Sequence, residues 1–273
     1  MRVKFKILNP KHQTVVAVAR FVAATFIFFC AQNSFALTGE EIMRRVDANM
    51  TYGTSRFESR MVINVDGELR TKNMVSYSRG RDTSYSEFTY PPRDKGVKYL
   101  KIENNMWMYL PSVDKVIKIS GSMLRQSMMG SDFSYEDAME SNRLLDKYSA
   151  RLVRSETVPV TFRAAGDPVT RQRDCYVVEL EAKVKDVTYY KRLTWIDKEL
   201  LVPVREDLFA MSGKLLKTMT LGDVRSFGSR NFPTYMKMVN HLRRNSFTEM
   251  HIEKIAFDIY VPDSVFSQSA LTK

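Results

Sequence analysis

The chain has 273 residues, 42 Lys+Arg against 31 Asp+Glu, a net charge of +11 and 44% hydrophobic residues, a balance that excludes a polytopic membrane protein and a disordered chain. Its two Cys cannot build a disulfide scaffold or a four-ligand zinc cluster, and its three His leave little material for metal or triad chemistry. The composition leans away from an enzyme and implies no cofactor.

The first twelve residues carry Arg2, Lys4, Lys6 and Lys11 with no acid, and an apolar stretch over 21–31 follows. That is the pattern of a secretory signal peptide, with Ser34-Phe35-Ala36 as the small-x-small cleavage site. The apolar run is too short to span a bilayer, and Arg20 blocks its extension. Phe28 and Phe29 stand where a lipidation signal around Cys30 needs small residues. Residues 1–36 are therefore expected to be a cleaved signal peptide and 37–273 a single exported domain. Cleavage removes five cations (Arg2, Lys4, Lys6, Lys11, Arg20) and leaves 237 residues with a net charge of +6. Such a surplus suits acidic partners or anionic lipid, and an exported protein is not expected to meet nucleic acid. Cys175 is then the sole remaining Cys, and its place in the apolar run 175–180 reads as a small buried hydrophobe.

The exported part opens with Thr38-Gly39-Glu40-Glu41, a capping box, and Ile42, Met43, Val46 and Met50 recur at helical spacing. From residue 56 the period changes to that of strands. Runs at 56–65 and 68–78 flank Asp66-Gly67, a strong hairpin turn, and further strands are expected at 84–90, 97–103, 106–110 and 115–119. Residues 120–150 break the pattern with small, Met and aromatic residues, which read as one or two short helices joined by a flexible loop. Strands resume at 150–156, 174–184, 189–196, 202–211, 214–225, 234–243 and 247–257, while polar 162–173 reads as an exposed loop.

About a dozen antiparallel strands with one apolar face form a highly curved sheet or a barrel that must bury that face. Two short helical stretches are little cover for it, which argues for a cavity. Met is unbranched and polarizable, so Met-rich surfaces repack around ligands of variable shape, and Met123, Met128, Met129 and Met139 all lie in the 120–150 insertion. The expected cavity and lid residues are Phe88, Tyr90, Tyr99, Trp107, Tyr109, Met123, Leu124, Met128, Met129, Phe133, Leu193 and Trp195. Each taken singly reads more plainly as core, and only together do they point to a pocket. Gly121 and Gly130 mark 121–135 as the candidate gate.

Catalytic patterns are weak. Ser112-Val113-Asp114-Lys115 matches S-x-x-K, but it follows Pro111 between two strands and has no S-D-N or K-T-G partner. His241 and His251 lie on neighbouring strands and could face one another across a hairpin, with Glu249 or Glu253 as further ligands; a surface pair is the plainer reading. No phosphate loop, dinucleotide fingerprint or G-x-S-x-G occurs.

Trp195-Ile196-Asp197-Lys198 with Pro203-Val204-Arg205, Gly213-Lys214 and Lys217, the run from Trp107 to Pro111, the run from Met128 to Asp137, and the ending Val261-Pro262-Asp263-Ser264-Val265-Phe266 together resemble periplasmic outer-membrane lipoprotein-sorting proteins, which are similar in fold to LolA carriers. The resemblance implies a mainly β fold with a few helices: an incomplete antiparallel β-barrel, in effect a strongly curved sheet, closed by a helical lid over a hydrophobic cavity for acyl chains. It implies lipoprotein or lipid acyl chains as partners, with an inner-membrane transporter of ABC or RND type and an outer-membrane acceptor, a monomer, and a periplasmic location. The chain is longer than the lipoprotein carrier, and no position matches that carrier's lid-locking Arg. An accessory or adaptor protein of an RND-type exporter, binding another lipid or a protein, is the alternative.

Overall fold

The computed structural model describes residues 37–140, 144–162 and 168–273; the signal-peptide reading lies outside them. Thirteen strands form one sheet in which every paired neighbour is antiparallel. They are β1 (Thr54–Val65), β2 (Glu68–Arg79), β3 (Thr83–Tyr90), β4 (Lys98–Ile102), β5 (Asn105–Leu110), β6 (Lys115–Ile119), β7 (Tyr148–Phe162), β8 (Val169–Ala182), β9 (Lys191–Asp197), β10 (Pro203–Phe209), β11 (Leu215–Phe227), β12 (Arg230–Asn240) and β13 (Phe247–Phe257). The order is β6-β5-β4-β3-β2-β1-β13-β12-β11-β10-β9-β8-β7. Two meanders are thus joined side by side through β1 and β13, and the sheet is not closed into a barrel.

The segment 120–147 leaves one edge strand, β6, and reaches the other, β7. It holds 3-10 turns at Gly121–Arg125 and Met128–Gly130 and short helices α2 (Tyr135–Glu140) and α3 (Leu144–Lys147). Its contacts reveal the curvature. Lys101 on β4 donates to the Met139 carbonyl (2.9 Å) while Lys217 on β11 reaches Asp137 in the same short helix (2.8 Å). β4 and β11 are six strands apart, about 29 Å along a flat sheet at ~4.8 Å per strand. A six-residue helix can touch both only if the sheet wraps around it.

Helix α1 (Gly39–Met50) forms as its sequence dictates, with Thr38 Oγ1 accepting from the Glu41 amide at 3.1 Å. The carboxylate of Glu41 takes Arg45 Nε at 2.9 Å, so the reciprocal half of the capping box is traded for an i,i+4 ion pair. Its apolar face, Ile42, Met43 and Val46, is buried, and the helix packs against β7 and β12. Gly39 permits that approach, since a Cβ there would sit 2.6 Å from the Arg151 backbone.

The loop expected at 162–173 is shortened from both sides: β7 runs to Phe162, β8 begins at Val169 and pairs with it over its length, and the centre of the expected loop, 163–167, lies outside the described residues. The polar residues that suggested a loop are the solvated positions of a long edge pair, and Val160, only 4% exposed, anchors it to the body. No helix among the described residues is long and apolar enough to cross a membrane.

Candidate functional site

Strand alternation gives the sheet one face toward the 120–147 segment, here the inner face. On the β1–β6 half it carries Met74, Phe88, Val97, Tyr99, Met106, Met108 and Ile119, all buried, and the segment supplies Met123, Leu124, Met128, Met129, Tyr135 and Met139 against them. With Met250 from β13, eight methionines meet in this one cluster. An interior of unbranched, rotatable side chains can part and re-form with little strain. Burial pushes the Tyr99 hydroxyl far above the usual phenol range.

On the other half the inner face is polar at its centre. Arg192 and Glu206 pair at 3.5 Å with both side chains almost fully buried, and Thr194 donates to Glu206 (3.1 Å). The Arg192 guanidinium lies over the rings of Tyr148 and Tyr189. Tyr189 donates to Asp137 Oδ1 (2.8 Å), and Lys217 Nζ donates to Asp137 Oδ2 (2.8 Å). Asp137 also caps its own helix: the Ser134 amide donates to Asp137 Oδ2 (2.7 Å), and the Asp137 amide donates to Ser134 Oγ (3.1 Å). Asp132, 3% exposed, accepts from Ser246 Oγ (2.6 Å) and Thr248 Oγ1 (2.9 Å), while its amide donates to Thr248 Oγ1 (2.9 Å). The segment is therefore bolted to β11 and β13 through two buried carboxylates. The expected gate at 121–135 is a held cover in this structure, and the inner face beneath it is occupied by side chains.

The expected cavity residues divide by location. Phe88, Tyr99, Met123, Leu124, Met128 and Met129 meet in the methionine cluster, and Phe133 lies beside it with Tyr189, Leu208 and Met238. Trp107 and Tyr109 do not join them. They alternate with Met106 and Met108 and so face outward, where Tyr85, Leu100, Val261, Phe266 and Leu271 cover them with the C-terminal segment. Leu193 and Trp195 belong to a third cluster with Val160, Cys175, Val177, Val202 and Val204, on the face away from Arg192 and Thr194. Tyr90 ends β3 and is 49% exposed.

Asp132, Asp137, Tyr189 and Lys217 went unassigned in the strand pattern. One signal could have found them: Ser134-Tyr135-Glu136-Asp137 has capping-box spacing, which fixes where the helix starts. A second feature also escaped it. Tyr52, Phe57, Phe227, Phe232 and Phe257 form an aromatic cluster, and Tyr52, Phe227, Arg230, Phe257 and Asp258 line an open groove of about 510 Å³.

Catalytic patterns gain nothing. Ser112 and Asp114 sit in the β5–β6 turn. His241 hydrogen-bonds Thr218 (2.9 Å), whereas His251 registers with Tyr235, so the two do not face one another. Among the described residues no group of three or more His, Cys, Asp or Glu is placed to hold a metal. Cys175 is fully buried and burial pushes its thiol up to about 12.

A family model described as an uncharacterized protein matches residues 80–273, more than half of the sequence. The chain belongs to that family. No curated protein matches it. Among solved structures, a DUF1329 family protein from Desulfovibrio piger is 28% identical with a TM-score of 0.76, covering 85% of this chain and 97% of that one. A putative outer membrane lipoprotein-sorting protein domain from Vibrio parahaemolyticus is 24% identical (TM-score 0.71; 86% and 98% covered). A LolA superfamily protein from Nitrosomonas europaea is 22% identical (TM-score 0.69; 86% and 100% covered). The likeness in fold to LolA-like proteins read from the sequence holds, as an open antiparallel sheet.

Proposed function

We propose that this protein is a non-enzymatic periplasmic carrier that shields the acyl chains of a lipoprotein or another lipid between the inner and outer membranes. The observation that carries the reading is the eight-methionine cluster between the curved sheet and its covering segment. The fold shared with a lipoprotein-sorting protein domain and a LolA superfamily protein supports it. Acyl chains enter by displacing Met123, Leu124, Met128 and Met129 from Phe88, Tyr99 and Met108. Each buried CH2 contributes about 0.8 kcal/mol, so a pair of partly enclosed chains offsets the parting of the cluster. Cargo arrives from an inner-membrane transporter of ABC or RND type and leaves to an outer-membrane acceptor.

The test is organic extraction and mass spectrometry of the protein purified from its native periplasm without detergent. Stoichiometric lipid or lipopeptide is expected. Protein that is lipid-free but holds a polypeptide or an exporter subunit would replace the carrier by the adaptor.

A further inference from the structure

Antiparallel topology places six hairpin turns at the same end of the sheet: those after β1, β3, β5, β8, β10 and β12. Each presents one large apolar side chain to solvent, in the turn itself or, for Leu69 and Tyr90, on the strand residue beside it. Leu69, Tyr90, Val113, Val184, Met211 and Leu242 are between 42 and 72% exposed. At the opposite end, the described turns at 80–82, 103–104, 198–202 and 228–229 expose no such side chain, and the exposed apolar residues there are Val169 at the start of β8 and Tyr260 after β13. A single exposed hydrophobe needs no explanation, but one on every hairpin of one end does.

Charge follows the same asymmetry. The turns after β8, β10 and β12 come from a contiguous stretch of the sheet and carry Lys183, Lys185, Lys214, Arg243 and Arg244 against one acid, Asp186, which Arg125 pairs at 3.0 Å. Successive hairpins lie two strand spacings apart, about 10 Å. The apolar side chains are therefore separate points with cations between them. A protein interface needs a contiguous apolar centre. Isolated apolar tips flanked by long cationic side chains fit the headgroup layer of a bilayer, where the tips dip below the phosphates and the cations pair with them.

The geometry points to this end of the sheet as a docking surface for an anionic phospholipid bilayer, with Val184, Met211 and Leu242 inserted and Lys185, Lys214 and Arg244 on the lipid phosphates. The same turns adjoin the bolts of the covering segment: Ser246 follows the β12 turn and holds Asp132, and Arg125 reaches Asp186. Docking on lipid thus acts beside the cover of the methionine cluster. The assignment stands apart from the cargo reading, because it is scored by protein bound to vesicles and cargo is scored by lipid extracted from the protein.

The test is co-sedimentation of the purified protein with vesicles of mixed phosphatidylglycerol and phosphatidylethanolamine, compared with pure phosphatidylcholine. Binding at least about tenfold stronger to the anionic vesicles is expected, weakening as salt is raised. The double variant Met211→Asp, Leu242→Asp should lose about tenfold or more, with unchanged circular dichroism because both side chains are in solvent. Lys214→Glu with Arg244→Glu should abolish the preference for anionic lipid. Equal binding to both vesicle types, no binding by folded protein, or binding that survives the tip variants would overturn the assignment; capture of an envelope protein by these turns without vesicle binding would assign them to a protein receptor instead.

Discussion

Lys217 on β11 places its Nζ 2.8 Å from Oδ2 of Asp137, and both side chains are nearly buried, at 12 and 11% exposure. This ion pair joins the covering segment to the half of the sheet opposite the methionine cluster. Removing one partner leaves a buried charge without its counterion, which costs about 3–5 kcal/mol. Lys217→Met is therefore expected to loosen the cover, read as faster amide hydrogen exchange over 128–139 and a lower unfolding temperature. Replacing both charges, Lys217→Met with Asp137→Asn, should recover part of that loss, because no unpaired charge remains and the amide oxygen of Asn can still accept from Tyr189 or the Ser134 amide. Equal protection in the wild type and the single variant would remove the pair as a bolt.

Met128 and Met129 stand at the border of the cluster, partly buried against it. Changing both to Asp puts two charges where acyl chains would enter, while the residues at the centre of the cluster stay intact. Lipid loading, measured by extraction and mass spectrometry, is expected to fall to background with circular dichroism unchanged. Unchanged loading would exclude this border as the entrance. Trp107→Ala provides the contrast: Trp107 lies on the outer face under the C-terminal segment, so it should lower stability without altering loading.

How far the sequence could be read follows from the range of the interactions involved. Helix α1 was legible because its signals are local: a cap at Thr38 and apolar residues at helical spacing. The strands were legible for the same reason, and their number against so little helix pointed to a curved sheet or barrel, while its incomplete closure was implied only by the family resemblance. The face on which an aromatic residue falls was harder. Trp107-Met108-Tyr109 alternates perfectly, yet the pattern alone does not say whether Met108 or its neighbours face the cover, because the C-terminal segment makes the outer face apolar too. The β7 and β8 strands were read at 150–156 and 174–184, but the outer continuation of the pair was missed because its side chains are polar where it meets solvent. Asp132 and Asp137 were invisible as bolts, since their partners Thr248 and Lys217 lie 116 and 80 residues away.

Gly222 on β11 tests the approach of β7 to β11. A Cβ at this position would lie 2.5 Å from the Thr161 carbonyl oxygen, a contact that backbone must move to relieve. Gly222→Ala is expected to cost about 1–3 kcal/mol by overpacking, lowering the unfolding temperature by several degrees. The nearby cluster contains Trp195, so in a Trp107→Phe background the remaining tryptophan emission should shift to the red. Wild-type stability and emission would show that this approach is loose.

Asp197 contributes to the acid sensitivity of the fold. Burial alone would raise its pKa, but hydrogen bonds from Arg173 and from the Leu200 and Glu199 amides outweigh burial and hold the carboxyl below its ordinary value. A carboxylate depressed in the folded state binds fewer protons there than in the unfolded chain near pH 4. Its contribution to stability is therefore full above the unfolded pKa, at neutral pH included, and is lost as pH falls through the lower folded value. Asp197→Asn should lower the unfolding temperature at pH 7 and flatten the decline of stability below about pH 4, since the group that titrates there is gone. Thermal unfolding of both proteins from neutral to acid pH measures this: the two curves should converge toward the acid end, and curves that remain parallel would show that Asp197 does not set the acid slope.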